Sequence, residues 1–409
     1  MAAIAALEHR LKDWLDERRD GMLALLQDLV TIDSGTANIA GVRAVGARIE
    51  DFLRKSDFTP AMISRFPGGG GLRVVTPAGS VGRSMLLMGH LDTVFPRGEV
   101  ERRPFKIENG RALGPGVADM KAGLVMNSFV LAAFRACGGN ELPLVGLYTE
   151  DEETGSLASR PVIEAEAENA AFAFNAEPGR ASGNIVIERR GGVFMRLAVR
   201  GKAAHAGIDP RAGISAIQEL AHKILALHAL SDLDAGVSAN VGVVSGGQSV
   251  NTTAPSAEGL IDLRFTTPAD RERLMAAIDD IVTTCFVTGS CATLEIIGEF
   301  APLLATPESN ALLRAYQGAA ADLGFSVDAE FSGGCADSGF AAQMGSATLC
   351  GLGPVGGGAH SPDEIRRPGY GGRTRAGACS HNSARRRPSR ARSRATSQGV
   401  MKLNRRGQP

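Results

Sequence analysis

The sequence predicts an α/β protein in which a mostly parallel sheet, covered by helices on both faces, is interrupted by a smaller α+β insertion. Three observations carry that prediction. Apolar runs at 83–90 (RSMLLMGH), 142–153 (LPLVGLYTEDEE), 170–178 (AAFAFNAEP) and 347–360 (ATLCGLGPVGGGAH) read as buried strands, each leading into His, Asp or Glu. Helical stretches at 119–137, 154–168 and 309–323 lie between them, giving the strand-helix alternation of a parallel sheet. From about 189 to 298 the pattern changes to four strands and two helices, as in an antiparallel α+β unit that can close a core of its own.

Taken in chain order, apolar periodicity predicts helices over 7–32 and 42–56 ahead of the first strand. Within the insertion the strands are GVFMRLAVRG, SANVGVVSG, LIDLRF and ATLEIIG, with helices over 209–230 and 269–286. The expected division is a main unit in two pieces, 1–188 and 299–364, around an inserted unit, 189–298, followed by a tail, 365–409.

At 409 residues the chain exceeds one ordinary core, because domains usually run about 100–150 residues. A hydrophobic share of 44% beside 22% charged residues fits a globular chain and argues against a fibrous or wholly disordered one. No apolar run approaches the ~20 residues of a membrane span, and the opening residues form a charged amphipathic helix without a signal-peptide core. The expectation is a cytoplasmic protein with no membrane partner. The six cysteines, Cys137, Cys285, Cys291, Cys335, Cys350 and Cys379, form no CxxC pair, which predicts reduced thiols. Zero net charge hides a division: thirteen of the 44 basic residues and none of the 44 acidic ones fall in 365–409, leaving +13 there and −13 elsewhere. That tail is rich in Arg, Ser, Gly and Pro without hydrophobic periodicity, and is expected to be disordered.

Candidate chemistry collects at the strand ends. In GHLDTV, His90 and Asp92 lie two apart on an extended segment and lean to one side, so the carboxylate can orient the imidazole. Asp119 in GPGVADMKAG follows a glycine-proline loop and precedes a helix, whose N-terminal end favours a carboxylate. TEDEETGS crowds Glu150, Asp151, Glu152 and Glu153, more like charge than sits together without a nearby cation. If Glu153 binds a metal, Glu152 is free to serve as general base on a water. Glu177 in FNAEPGR is held between a strand and Pro-Gly, and His360 in GGGAHSPDE follows a glycine run. Singly, each has a plain reading as a cap, a turn or a solvated loop. Jointly, two histidines and three carboxylates match a pair of divalent ions about 3.5–4 Å apart that share one carboxylate. The chemistry indicated is metal-assisted amide hydrolysis.

Together, GHLDTV, GPGVADMKAG, DEETGS, AEPG, GKAAHAG and GGGAHSPDE resemble the dinuclear zinc peptidase family, over about residues 10–364. That family includes glutamate carboxypeptidase (carboxypeptidase G type), aminoacylase, acetylornithine deacetylase and succinyl-diaminopimelate desuccinylase. The resemblance implies a zinc-binding catalytic α/β domain in two pieces, with an inserted α+β lid that commonly dimerises. It also implies two zinc ions, replaceable by cobalt or manganese: His90 and Glu177 on one, Glu153 and His360 on the other, and Asp119 between them. Asp92 would stand behind His90, with Glu152 as general base. His205 in GKAAHAG would reach a neighbouring subunit's site and stabilise the oxyanion, a contribution often worth ~3 kcal/mol. Asn251 and Arg264 match substrate-facing positions; Arg264 suits a bidentate carboxylate grip, and its plain alternative is a strand salt bridge.

The reaction so implied is release of a C-terminal, glutamate-type amino acid from small N-acyl or peptidyl substrates by a homodimer. Two alternatives stay open. A deacylase or desuccinylase reaction is one, because GEFAPLLATPE (298–308) has no arginine where glutamate carboxypeptidase carries a second one. An inactive, truncated hydrolase is the other, because the family's apolar closing helix beyond HSPDE gives way to Arg-rich text, as a reading-frame change near Ile365 would produce. Nucleic acid is expected only as a non-specific contact of the basic tail.

Overall fold

The computed structural model describes residues 2–366 except 68–69, 79–81 and 362. The expectation of a disordered or frame-shifted tail therefore lies outside the described residues, apart from Ile365–Arg366, which form a short strand.

A six-stranded sheet organises the larger part of the molecule. Across it the strands run Ile63–Arg65, Leu72–Thr76, Leu144–Thr149, Ser84–His90, Ala170–Asn175 and Ala347–Leu349. The last four are mutually parallel, whereas Leu72–Thr76 runs antiparallel to both of its neighbours. The fold is α/β with a mixed sheet, in which four of the six strands run parallel and an antiparallel edge lies at 63–76. Those two strands hold three and five residues, too few to display a period beside a glycine-rich turn.

The central strand Ser84–His90 is buried along its whole length. Its alternate side chains go to opposite faces, as a two-residue period requires. Met85 and Leu87 enter a core with Leu124 and Phe129, while Leu86 and Met88 join Ile163 and Phe340 on the other side. Each such fully buried side chain contributes about 1.5–3 kcal/mol. A one-residue slip would move each set into the other core, against side chains it does not match.

Helix boundaries differ from the periodicity at identifiable points. The stretch 7–32 is two helices, Ala2–Asp16 and Arg19–Val30. Between them Arg18 bonds back to the Trp14 carbonyl at 3.1 Å and covers its ring at 4.1 Å. Ile39–Lys55 starts on Asn38, whose side chain accepts the Gly41 N–H. The helix expected from 154 begins only at Arg160, because the Asp151 carboxylate accepts the N–H groups of Ala158 and Ser159 and holds that loop open.

Val117–Cys137 is long and apolar enough, by length and composition alone, to cross a membrane. It is 94% buried inside the protein. Asn127 donates to the Met88 carbonyl at 2.9 Å, and Ser128 bonds to the Tyr148 hydroxyl at 2.9 Å, so this is a core helix fastened to the sheet.

Residues 191–300 form a second, antiparallel sheet in the order Ser238–Gly246, Ser256–Phe265, Gly191–Arg200, Cys291–Phe300. Helices Ala216–His228 and Pro268–Thr283 cover one face, closing a core around Val193, Leu197, Leu263, Leu274 and Ile278. Inside it, Lys223 pairs with Glu219 at 2.9 Å and donates to the carbonyls of Ile281, Val282 and Thr284. Among the described residues Cys137, Cys285, Cys291, Cys335 and Cys350 are free thiols.

Candidate metal centre

Parallel pairing brings the candidate ligands level. His90 is in register with Thr149, and Met88 with Asn175, so three adjacent strands end on one line. Asp92, Glu152, Glu153 and Glu177 lie just beyond those ends, where ligands collect in parallel sheets. Asp119 arrives from the side, on the turn before helix Ala122–Cys137. That helix approaches so closely that a Cβ on Gly123 would fall onto the Ala176 carbonyl. His360 comes last, on the segment between the short strands Gly356–Gly357 and Ile365–Arg366.

Two three-residue groups result, and they share Asp119. His90, Asp119 and Glu177 each offer one ligand atom, all within 4.8 Å of one another, as do Asp119, Glu153 and His360. The two Asp119 oxygens diverge: Oδ1 lies 3.2 Å from His90 Nε2 and Oδ2 lies 3.4 Å from His360 Nε2. Glu177 Oε1 is 3.7 Å from His90 Nε2, and Glu153 Oε2 is 3.2 Å from His360 Nε2. Glu152 Oε2 stands 4.0 Å from His90 Nε2.

Charge in this cluster is unbalanced. Burial pushes Glu153 up to about 7, against the pull of His360 and His90. Burial likewise raises Glu152 well above the carboxylate range, with Glu177, Asp337 and Glu153 adding like charge. Glu177 is raised by burial and by the Asp119 charge. His90 moves upward although burial opposes its charge, because hydrogen bonds to Asp119 and Asp92 outweigh it. Hydrogen bonds to Asp119 and Glu153 raise His360 to about 10. The buried oxygens Glu153 Oε1 and Glu177 Oε1 have no hydrogen-bond partner among the described residues. Carboxylates with a buried orphaned oxygen, grouped with two imidazoles, fit a divalent cation, whose charge would reverse this logic.

Comparison with known proteins places the chain in a family. Residues 86–365 match the profile of peptidase family M20/M25/M40. This chain is a member of that family. Carboxypeptidase G2 of Pseudomonas sp. (strain RS-16) is 28% identical over 270 residues, covering 64% of each chain, so less than two thirds of that relative is matched. Acetylornithine deacetylase of Pasteurella multocida (strain Pm70) is 33% identical over 198 residues, covering 44% of this chain and 50% of the relative. The crystal structure of an M20 family metallo-carboxypeptidase, Sso-CP2 from Sulfolobus solfataricus, superposes with a TM-score of 0.68 at 16% identity, over 89% of this chain and 98% of that one. At that identity the likeness concerns the fold. The M20 assignment makes the chain one of a family of peptidases and amidohydrolases.

Around the candidate centre, a ring of supporting groups holds these side chains. Asp92, fully buried, accepts the Thr36 hydroxyl at 2.6 Å and the N–H groups of Glu152 at 3.2 Å and Glu153 at 3.1 Å. Its Oδ1 is 3.3 Å from His90 Nδ1, which also reaches the Asp92 carbonyl at 3.0 Å. One carboxylate thus fixes two strand ends relative to each other. Three supports escaped the sequence reading. Arg189 is buried beside Glu177 at 3.4 Å and also touches the Cys350 sulfur. Asp337 is buried, accepts from Ser156 and Thr149, and is pushed up by burial to about 7. Glu364 accepts three backbone N–H groups around Asp119. Asp337 follows the same strand-then-acid pattern as the ligands, after Ala329–Ser332, and could have been found by it. Glu364 stood inside the HSPDE motif without a role.

The remaining candidates lie elsewhere. His205 is exposed, and its Nδ1 accepts the N–H groups of Gly207 and Ile208 at 3.2 Å, which assigns the proton to Nε2. It pairs through the backbone with Thr252, next to Asn251, whose side chain accepts from Ser249 at 2.8 Å. Arg264 is engaged on its own strand by Asp262, at 2.6 and 3.1 Å, and contacts the Cys335 sulfur. A cavity of about 850 Å³ adjoins Glu153 and Thr154 and is lined by Thr36, Ile39, Val94, Phe95 and Arg97 among others.

Proposed function

We propose that this M20 protein is a dinuclear, zinc-dependent amide hydrolase. The observation that carries the reading is the pair of three-residue ligand groups sharing Asp119, with Glu152 beside them. In this reading His90 and Glu177 would hold one ion and Glu153 and His360 the other, with Asp119 available to both. When bound, such a pair supplies Lewis acidity to the scissile carbonyl and to the attacking water. Glu152 takes the proton of that water and returns it to the leaving amine. Asp92 keeps His90 oriented. Cobalt or manganese could replace zinc in the same donor set.

The substrate proposed is a small peptide or N-acyl amino acid with a free C-terminal carboxylate, cut as a carboxypeptidase would cut it. The match to carboxypeptidase G2 supports this choice. Asn251 and Arg264 are the proposed carboxylate contacts, and His205, with its proton on Nε2, the donor to the oxyanion in a partner subunit. Self-association through 189–298 is supported by the edge strand Ser238–Gly246, where Val243 is 56% and Val244 is 55% exposed. A second reading, N-acyl amino acid deacylation, is favoured by the Asp262 grip on Arg264 and by the acetylornithine deacetylase match. A cytoplasmic location is proposed for either.

The test is elemental analysis of purified protein together with hydrolysis of a panel of N-acyl amino acids and dipeptides, before and after Glu152→Ala. Two ions per chain, with turnover abolished in the variant, supports the proposal. Fewer than two ions after zinc loading, or turnover that survives the substitution, defeats it.

A further inference from the structure

Glu364 is the last acidic residue of the sequence, and it is 1% exposed. Its Oε1 accepts the backbone N–H of Ala118 at 2.8 Å and of Asp119 at 2.9 Å, and its Oε2 accepts that of Gly116 at 3.0 Å. Hydrogen bonds to a charged acceptor are about twice as strong as neutral ones, so three of them on one short loop dominate its placement. Gly116 adopts a left-handed φ of +71°, which turns its N–H and those of Ala118 and Asp119 toward one point. The sequence distance spanned is large: Asp119 and Glu364 are 245 residues apart.

Glu364 sits on a strap. Gly356–Gly357 and Ile365–Arg366 pair with one another, and the second also pairs with Arg111–Leu113. Between those anchors the strap carries His360, and Arg103 donates to its Ser361 carbonyl at 3.1 Å. One strap therefore delivers a candidate ligand and, four residues later, a carboxylate that grips the backbone of the shared ligand.

We infer that Glu364 is a positioning residue for Asp119, holding the 116–119 loop so that the two Asp119 oxygens face the two histidines before any ion arrives. The inference rests on the dinuclear reading of the site. A bridging carboxylate has to present one oxygen to each ion, and a small rotation of the Asp119 backbone would swing both oxygens out of line. Glu364 grips the N–H of Asp119 itself. Docking of the strap thus completes one half-site through His360 and aligns the shared ligand of both through Glu364.

The experiment is zinc titration against a competing chelator, with thermal unfolding in parallel, on the full chain, Glu364→Gln, Glu364→Ala and Glu219→Gln. Glu219→Gln disturbs the buried Lys223 pair in the second core and serves as a stability control. Loss of a supporting partner typically weakens metal binding about 10–100-fold, the effect expected for Glu364→Ala on both ions. Glu364→Gln should fall between, because its single carbonyl oxygen cannot serve all three N–H donors. Glu219→Gln should melt lower and bind zinc as the unaltered chain does. Unchanged zinc affinity in Glu364→Ala overturns the inference, and if that variant does not fold, unchanged affinity in Glu364→Gln does so. Equal zinc loss in Glu219→Gln at equal melting loss also overturns it, by making the effect one of general stability. An unaltered chain that fails to bind two ions instead removes the dinuclear reading itself.

Discussion

Replacing Asp92 with alanine measures how far the centre is held from behind. Asp92 accepts from the Thr36 hydroxyl and from the N–H groups of Glu152 and Glu153, all in a buried setting. Three hydrogen bonds to a charged acceptor, at about 1.5 kcal/mol each on the low side, place the loss near ~4–5 kcal/mol. His90 keeps its contact with the Asp92 carbonyl but loses the carboxylate Oδ1 at 3.3 Å, so the imidazole should be held less firmly as the Glu152–Glu153 turn loosens. The metal-binding consequence has its own scale, about 10–100-fold in affinity for a lost supporting partner. Thermal unfolding paired with zinc titration reads both. Thr36→Val, which removes one of the three bonds, should cost about 1.5 kcal/mol and retain both ions. If Asp92→Ala unfolds with the unaltered chain and binds zinc as tightly, the argument that Asp92 couples the two strand ends is wrong.

Other outcomes follow from single contacts. Glu152→Gln should keep two ions and lose about 10²–10⁴ in turnover, whereas Glu153→Gln should lose an ion; metal analysis beside kinetics separates the two. Burial raises Asp337 to about 7. The unfolded carboxyl titrates near ~3.9, so this group's stabilisation is full below that value and is lost as pH rises through the folded one. Metal-free protein should therefore melt lower at about pH 8 than at about pH 5 through this group, and Asp337→Asn should flatten the slope; an unchanged slope assigns it elsewhere. Lys223→Met breaks a buried pair in the second core and should cost about 3–5 kcal/mol by thermal unfolding while leaving zinc content untouched.

Much of this was legible in the sequence because strand ends and ligands coincide there. His90, Glu152, Glu153 and Glu177 follow apolar runs that could hardly be anything but buried strands, and the parallel register then brings them together. The antiparallel edge at 63–76 was not legible, since strands of three and five residues carry no period. Nor was the boundary near 160, which depends on Asp151 bonding to its own loop rather than on propensity. Arg189 and Glu364 were missed for a related reason. Their meaning lies in what they touch, across long sequence separations, and no local pattern announces that. Arg264 shows the converse: its neighbour Asp262, two residues away on the same strand face, was visible in the sequence and holds it in the structure.

The order in which the ligands occur along the chain bears on synthesis. A ribosome releases His90, Asp119, Glu153 and Glu177 early, and domains generally fold as they emerge. The strap with His360 and Glu364 arrives only after the entire second sheet has been made. Until then the nascent polypeptide has four acidic or imidazole ligands, an unanchored Asp119 loop and one half-site without its histidine. In the proposed reading, the centre is complete only once the segment carrying His360 and Glu364 docks.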